Sequence, residues 1–263
     1  MHVTATARQW VKAEPDLLEE LSALQRRFAP GRVEMAASTR AILREVRDPD
    51  VLARVARLPV QVFERLERLD RIKQTDAVTV QVALAVALLF CAPVRIGNLA
   101  SIDLDRHLVE VGVGKSRRQH LRFPAQEVKN TVPLEFPLWE ETERLLARYL
   151  TRYRPLLVGK RTTALFPGRA GGSKHPVALA NQIARLCERE LGLRITPHKF
   201  RAIAGAIYLW HNPTGHEVVR IMLGHKDIKT TLNFYAPLES DRALMLYDGA
   251  FAALRAGMKE AAE

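Results

Sequence analysis

The sequence has little of what staples, coats or anchors a protein. It holds two cysteines, Cys91 and Cys187, in 263 residues. Two thiols provide neither a disulfide framework nor a zinc cluster, and they suit a reducing compartment. Aromatics make up only 6%. The longest apolar run, Val82 to Val94, spans 13 residues and is interrupted by Pro93. A bilayer-crossing helix takes ~20 apolar residues, so no membrane partner is expected. The opening stretch MHVTATARQWVKAEPD has no apolar core of the kind a secretory signal needs. No His, Asp or Glu cluster has metal-ligand spacing, and no glycine-rich phosphate loop occurs, so neither a metal nor a nucleotide cofactor is expected. The expectation is a globular, reduced, cytoplasmic protein.

What is present is positive charge. Lys plus Arg total 40 against 29 acidic residues, a net charge of +11. Residues 1–72 hold 13 basic and 11 acidic side chains, whereas residues 115–201 hold 18 and 7. The excess of that one stretch, 18 − 7 = 11, equals the net charge of the whole chain. A concentrated positive field favours a polyanion, most simply nucleic acid.

The patterning is mostly helical. Residues 1–72 read as short helices punctuated by Pro15, Pro30-Gly31, Pro49 and Pro59, with Leu17, Leu18, Leu21 and Leu24 at helical spacing. Residues 76–92 are almost wholly apolar and read as a helix buried at the centre of a core. His107–Val113 and Gln119–Phe123 alternate in character across a basic GKSRR link, and 126–136 reads as a further hairpin. After Pro137 the pattern is helical again, with separate helices expected over 176–191, 197–210, 214–223, 228–235 and 239–256. The fold class expected is mainly α with a small antiparallel β-sheet, divided into a helical segment 1–72 and a domain 73–263.

Four short segments carry candidate chemistry. In APVRIGNLASIDL, Arg95 opens a helix that leaves a buried one. A charge there needs a partner, either a structural salt bridge such as Asp103 or a bound anion. In TPHKFRAIAGAIY, Thr196 is a candidate N-cap and Pro197 a good first helical residue. His198 and Arg201 then share one face of the first turn, beside a positive helix end, and suit an anion. In IMLGHKDIKTTLNFYA, Gly224 ends one helix, His225 opens the link, and Tyr235 follows ten residues later. In EVKNTVPLEF, Lys129 sits in the hairpin. Tyr149, Tyr153, Tyr208 and Tyr247 read as structural.

Taken in order, Arg95, Lys129, the His198-x-x-Arg201 pair, Leu223-Gly224-His225 and Tyr235 resemble the tyrosine recombinase (phage integrase) family over about residues 73–247. The resemblance implies an enzyme that cleaves and rejoins DNA through a 3′-phosphotyrosyl link, without metal or ATP. By position, Tyr235 matches the nucleophile, Arg95 and Arg201 the phosphate clamp, and His198 the residue that assists proton removal. Lys129 matches the general acid on the leaving 5′-oxygen, and His225 the second phosphate-contacting histidine. Partners implied are double-stranded DNA and further copies of the chain, as a tetramer on DNA. Residues 1–72 would be the remnant of a core-binding domain plus linker, and the helix over 239–256, with Leu238, Leu244, Leu246 and Phe251, would dock on a neighbouring protomer. Lys115, Arg117, Arg118, Lys174, Lys199 and Lys226 are candidate DNA contacts.

The chemistry agrees on its own terms. Two guanidinium forks can hold the equatorial oxygens of a phosphodiester under attack. A leaving alkoxide needs a proton, which an ammonium supplies. A Tyr with a pKa near 10 needs a base or local positive charge to attack. Asn98 stands where many members carry an acidic residue, Ala202 where many carry His, and the spacing from His225 to Tyr235 is ten. The alternatives are a catalytically silent DNA-binding protein on the same fold and a type IB topoisomerase-like relaxing enzyme.

Overall fold

The computed structural model describes residues 7–27, 35–114, 117–159, 162–169 and 171–260. Its contacts group the chain into two compact units, Met1–Glu34 and Met35–Glu263. The smaller unit contains a short helical turn at Ala7–Val11 and helix α1, Pro15–Arg27. Ser22 Oγ donates to the Leu18 carbonyl within α1, a back-bond along the helix. The predicted break at Pro30-Gly31 lies outside the described residues.

The larger unit begins with α2, Ala37–Glu45, and α3, Pro49–Glu67. Residues 35–72, set with the amino-terminal segment by the sequence reading, pack in this larger unit. Their apolar stripe explains it: Val55, Leu58, Val62, Phe63 and Leu66 of α3 are buried in the shared core. Asp48 caps α3 by accepting from the Asp50 N–H at 2.8 Å, and Pro49 takes the first helical position. Pro59 is carried inside α3 and buried there, so it does not divide the helix.

Helix α4, Gln74–Cys91, lies at the centre, with twelve buried residues, and packs on α3 and on three later helices. By length and composition it is apolar enough to cross a membrane, but its faces are covered by the fold. Asp76 holds its start by accepting from the Lys73 N–H. Pro93 follows, and the short α5, Ile96–Ala100, turns away from it.

The sheet is a three-stranded antiparallel meander, β1 Leu108–Val111, β2 Arg118–Phe123 and β3 Leu134–Pro137, in that order. Leu121 faces Leu108 on one side and Phe136 on the other, so the apolar positions fall on one face. Helix α6, Glu140–Arg148, runs on through a widened turn to Tyr153, and α7 spans Pro176–Leu191. Gly192, with φ 74°, ends α7 in the left-handed region. Then come α8, Pro197–His211, α9, His216–Met222, and α10, Ile228–Glu260.

Two helices expected over 228–235 and 239–256 are one helix. Pro237 lies inside α10 and does not end it. The burial of Phe234 and Tyr235 and the packing of Leu238 on the core hold the helix on both sides of the missing N–H. Tyr235 therefore sits within a helix rather than at its end.

Candidate active site

Three backbone features bring the cationic side chains together. Arg95 occupies the cap position of α5, half-buried. Thr196 occupies the cap of α8, though its hydroxyl makes no capping bond, and Pro197 fixes the first turn. His198 and Arg201 follow one turn apart. Leu223-Gly224 ends α9 in a Schellman turn: Gly224 has φ 59°, its N–H bonds the Ile221 carbonyl, and the His225 N–H bonds the Arg220 carbonyl at 2.9 Å. That turn delivers His225.

Arg201 fastens these elements to one another. It is 6% exposed, and its guanidinium donates to the Pro93 carbonyl and, at 2.8 Å, to the Leu223 carbonyl. One side chain thus joins the residues just before Arg95 to the turn just before His225. His225 Nδ1 lies 2.9 Å from the Thr231 hydroxyl, which is fully buried at the start of α10. Asp227 caps that helix by accepting from the Lys229 N–H. The His198 ring meets Phe234 edge-on, at 6.0 Å.

Burial lowers the proton affinity of all four groups, and the guanidinium of Arg95 adds to that lowering at Arg201, His198 and His225. Burial and then Arg95 bring Arg201 down to about 10. Burial, Arg201 and Arg95 lower His198. Burial, with Arg201 and Arg95 next, pushes His225 down to about 4. Burial lowers Arg95. At neutral pH the site therefore holds two guanidinium charges beside two neutral imidazoles. The salt bridge from Arg95 to Asp103 is not formed: Asp103 instead accepts from the Thr163 hydroxyl and from the N–H groups of Asp105 and Arg106. Among the described residues, Arg95 has no carboxylate partner.

Lys129 is exposed on the loop between β2 and β3. Its neighbour Asn130 donates to the Gly224 carbonyl at 2.6 Å, which brings this loop against the His225 turn. Leu134 of β3 packs where a Cβ on Gly224 would reach, at 3.1 Å. Asn98, 7% exposed in α5, donates to the Glu127 carbonyl at 2.9 Å. The amide standing at the usual acidic position thus ties the Arg95 helix to the Lys129 loop.

Tyr235 is fully buried. Its hydroxyl donates to the carbonyls of Arg201 and Ala202, at 3.3 and 3.4 Å. It lies against Gly205 of α8, where an added Cβ would come within 2.0 Å of the phenolic oxygen. Burial raises its pKa above the ordinary tyrosine value, and the Arg201 charge offsets part of that rise. The structure therefore places the hydroxyl on the main chain behind the Arg201 side chain, not at the solvent side of the cluster.

The candidate DNA contacts divide. Lys226 and Arg118 are exposed, and Arg117 pairs with Glu110. Lys199 Nζ donates to the Arg194 carbonyl. Lys174 turns inward, to Gln81 and to Gln182 at 2.9 Å, and burial lowers it to about 8. Its ammonium is occupied by the fold because Gln81 of α4 would otherwise be a buried amide short of partners. Lys115 lies outside the described residues. Of the tyrosines read as structural, Tyr149 and Tyr153 are fully buried, while Tyr247 is 66% exposed.

Sequence reasoning missed the residues that fasten the site: Gly205, Asn130, Glu127, His107 and Thr231. Only Gly205 leaves a local signal, as an isolated glycine inside a helix.

The phage integrase family model matches residues 61–242. The chain belongs to the phage integrase family. Tyrosine recombinase XerC of Pseudomonas syringae pv. syringae is 27% identical over 168 residues, covering 62% of this chain and 50% of that protein. Tyrosine recombinase XerD of Pseudomonas aeruginosa is 28% identical over 150 residues, covering 55% and 45%. The chain thus spans about half the length of these relatives. Among solved structures, the XerH site-specific recombinase bound to palindromic difH substrate, a post-cleavage complex, superposes with a TM-score of 0.52 at 15% identity, covering 73% of this chain and 52% of that one. The XerH pre-cleavage complex gives 0.50 at 16% identity, covering 67% and 48%. These likenesses show a shared fold: a mostly helical phage integrase domain with a small antiparallel sheet.

Proposed function

We propose that this phage integrase chain is a site-specific recombinase that cleaves and rejoins double-stranded DNA through a 3′-phosphotyrosyl intermediate. The observation that supports the reading best is the cluster of Arg95, His198, Arg201 and His225. Four side chains from three separated segments converge, and the shifts within the cluster come from burial and from neighbouring cations. A phosphate between them would relieve that repulsion.

In the proposed reaction, Arg95 and Arg201 bind the non-bridging oxygens and stabilise the charge that gathers there. Neutral His198 accepts the proton of the Tyr235 hydroxyl as its oxygen bonds to phosphorus. The bond from phosphorus to the 5′-oxygen breaks, and Lys129 donates a proton to that oxygen. With Nδ1 against Thr231, His225 has Nε2 left for a phosphate oxygen. The phosphotyrosine conserves the bond energy, and a 5′-hydroxyl attacks it to rejoin a strand. The buried hydroxyl has to leave Gly205 to reach phosphorus, so α10 moves locally when DNA binds. The exposed Leu244, Leu246 and Leu254 on α10 suit contact with a second copy on DNA.

The burial of Tyr235 is also what a catalytically silent DNA-binding protein would show. A duplex nicked beside the cleavage site separates the two readings by trapping the covalent product. The enzyme forms an adduct that survives denaturant and is lost in Tyr235→Phe with DNA binding retained. Binding with no adduct on any duplex supports the silent reading.

A further inference from the structure

Resting on the reading of Lys129 as the general acid, we infer that Glu127, clamped by the buried His107, is a positioning residue that holds Lys129 at the scissile bond. His107 is 1% exposed, yet both of its ring nitrogens are used. Nδ1 accepts from the Asp103 N–H at 2.8 Å, so the ring proton lies on Nε2 and is donated to Glu127 Oε2 at 2.7 Å. The ring packs on Phe123 of β2, with centroids 4.9 Å apart. The second Glu127 oxygen accepts from Arg106, and the Glu127 carbonyl accepts from Asn98. Three of these hydrogen bonds converge on Glu127, two positions before Lys129, and the fourth fixes the His107 ring that makes one of them.

On the other side of Lys129, Asn130 is held by the Gly224 carbonyl, and Thr131 adopts a positive φ of 53°. The short stretch carrying Lys129 is therefore anchored at both ends. One anchor is on the Arg95 helix and the other on the His225 turn. A buried histidine with a fixed tautomer and a carboxylate partner is a costly way to fill space that an apolar side chain would fill. It is an effective way to fix a loop whose one long side chain must deliver a proton to a single oxygen. An error of about 1 Å in such a group costs on the order of 100-fold in rate.

The step at issue is the transfer of a proton from Lys129 Nζ to the departing 5′-oxygen. A sulfur atom in place of that oxygen leaves as a thiolate and needs no proton. The test uses the full chain and two pools of synthetic duplexes of random sequence, one with a single 5′-bridging phosphorothiolate and one all-oxygen. Sequences recovered from the unaltered protein's adducts define the duplex pair used for the variants. Glu127→Ala is expected to slow cleavage of the oxygen duplex by about 100-fold and to leave the sulfur duplex cleaved near the unaltered rate. Glu127→Gln keeps an acceptor for His107 Nε2–H and is expected to recover most of the loss. Glu127→Asp, which draws the carboxylate back from His107, is expected to behave like Glu127→Ala, and melting curves establish that each variant is folded. Equal loss on both duplexes in a folded variant, or no loss on either, overturns the positioning role. If Lys129→Ala is rescued by sulfur and Glu127→Ala is not, only the positioning role falls. If Lys129→Ala is not rescued, the general-acid reading itself falls, and the inference with it.

Discussion

Replacing Gly205 by Ala tests the packing of the proposed nucleophile directly. The new Cβ would lie 2.0 Å from the Tyr235 hydroxyl oxygen, 2.5 Å from Cζ and 3.1 Å from Cε2. Ordinary contact between such atoms is about 3.5 Å, so the ring must withdraw by more than about 1 Å. Overpacking of this kind costs roughly 1–3 kcal/mol. Ala in a helix interior returns ~0.5–1 kcal/mol relative to Gly. The net destabilisation is therefore about 1–2 kcal/mol, which for a domain of this size lowers Tm by roughly 2–8 °C. The displaced hydroxyl also loses its bonds to the Arg201 and Ala202 carbonyls. Its pKa is then expected to fall toward that of an exposed phenol, as followed by ultraviolet titration against a Tyr235→Phe control. Adduct formation on the nicked duplex is expected to rise, because the buried resting position is no longer favoured. In a Tyr235→Phe background part of the cost of Gly205→Ala should vanish, since the closest atom is gone. A Tm that rises, as for a simple Gly→Ala change in a helix, with an unmoved titration would refute this packing of Tyr235.

Arg201→Ala should destabilise the protein even without DNA, by about 2–4 kcal/mol in a melting curve, because it strands the carbonyls of Pro93 and Leu223. The Arg65 hydrogen bond, chiefly, holds the Glu190 carboxyl down at about 2, against 4.5 ordinarily. A depressed carboxyl stabilises the fold above its unfolded pKa, and that stability is lost as pH falls from 4.5 through about 2. Arg65→Gln should therefore lower Tm near pH 7 and change little near pH 2, which flattens the acid limb of a Tm-against-pH curve between them. His225, pushed down to about 4 by burial and the neighbouring guanidiniums, should show its ring proton resonances moving near pH 4 rather than 6.5 in an NMR titration. Deeper protonation would cost stability, so the lowered His favours the fold less as pH drops below 6.5.

The sequence carried the helix-plus-small-sheet class, the buried central helix and the set of cationic candidates. Each rests on short-range chemistry. An apolar stretch over 76–92 has to be buried whatever surrounds it, and Pro197 after Thr196 starts a helix in any context. A glycine between Leu223 and His225 ends one for reasons internal to the chain. The motif order then singled out Arg95, Lys129, His198, Arg201, His225 and Tyr235 without any knowledge of contacts. Tertiary structure decided what each of them touches. Pro237 predicts a break that packing of Phe234, Tyr235 and Leu238 overrides, so Tyr235 lies inside α10. Lys174 looked like a surface cation, but it satisfies Gln81 of the central helix. His107 and Glu127 are twenty residues apart and meet only because β1 and β2 pair. Gly205 and Tyr235 are thirty residues apart and meet because α10 crosses α8. Periodicity and capping act within a turn or two of helix and can be read along the chain. Burial, charge pairing and the seat of a hydroxyl depend on residues far apart in sequence, and only the folded arrangement brings them within reach.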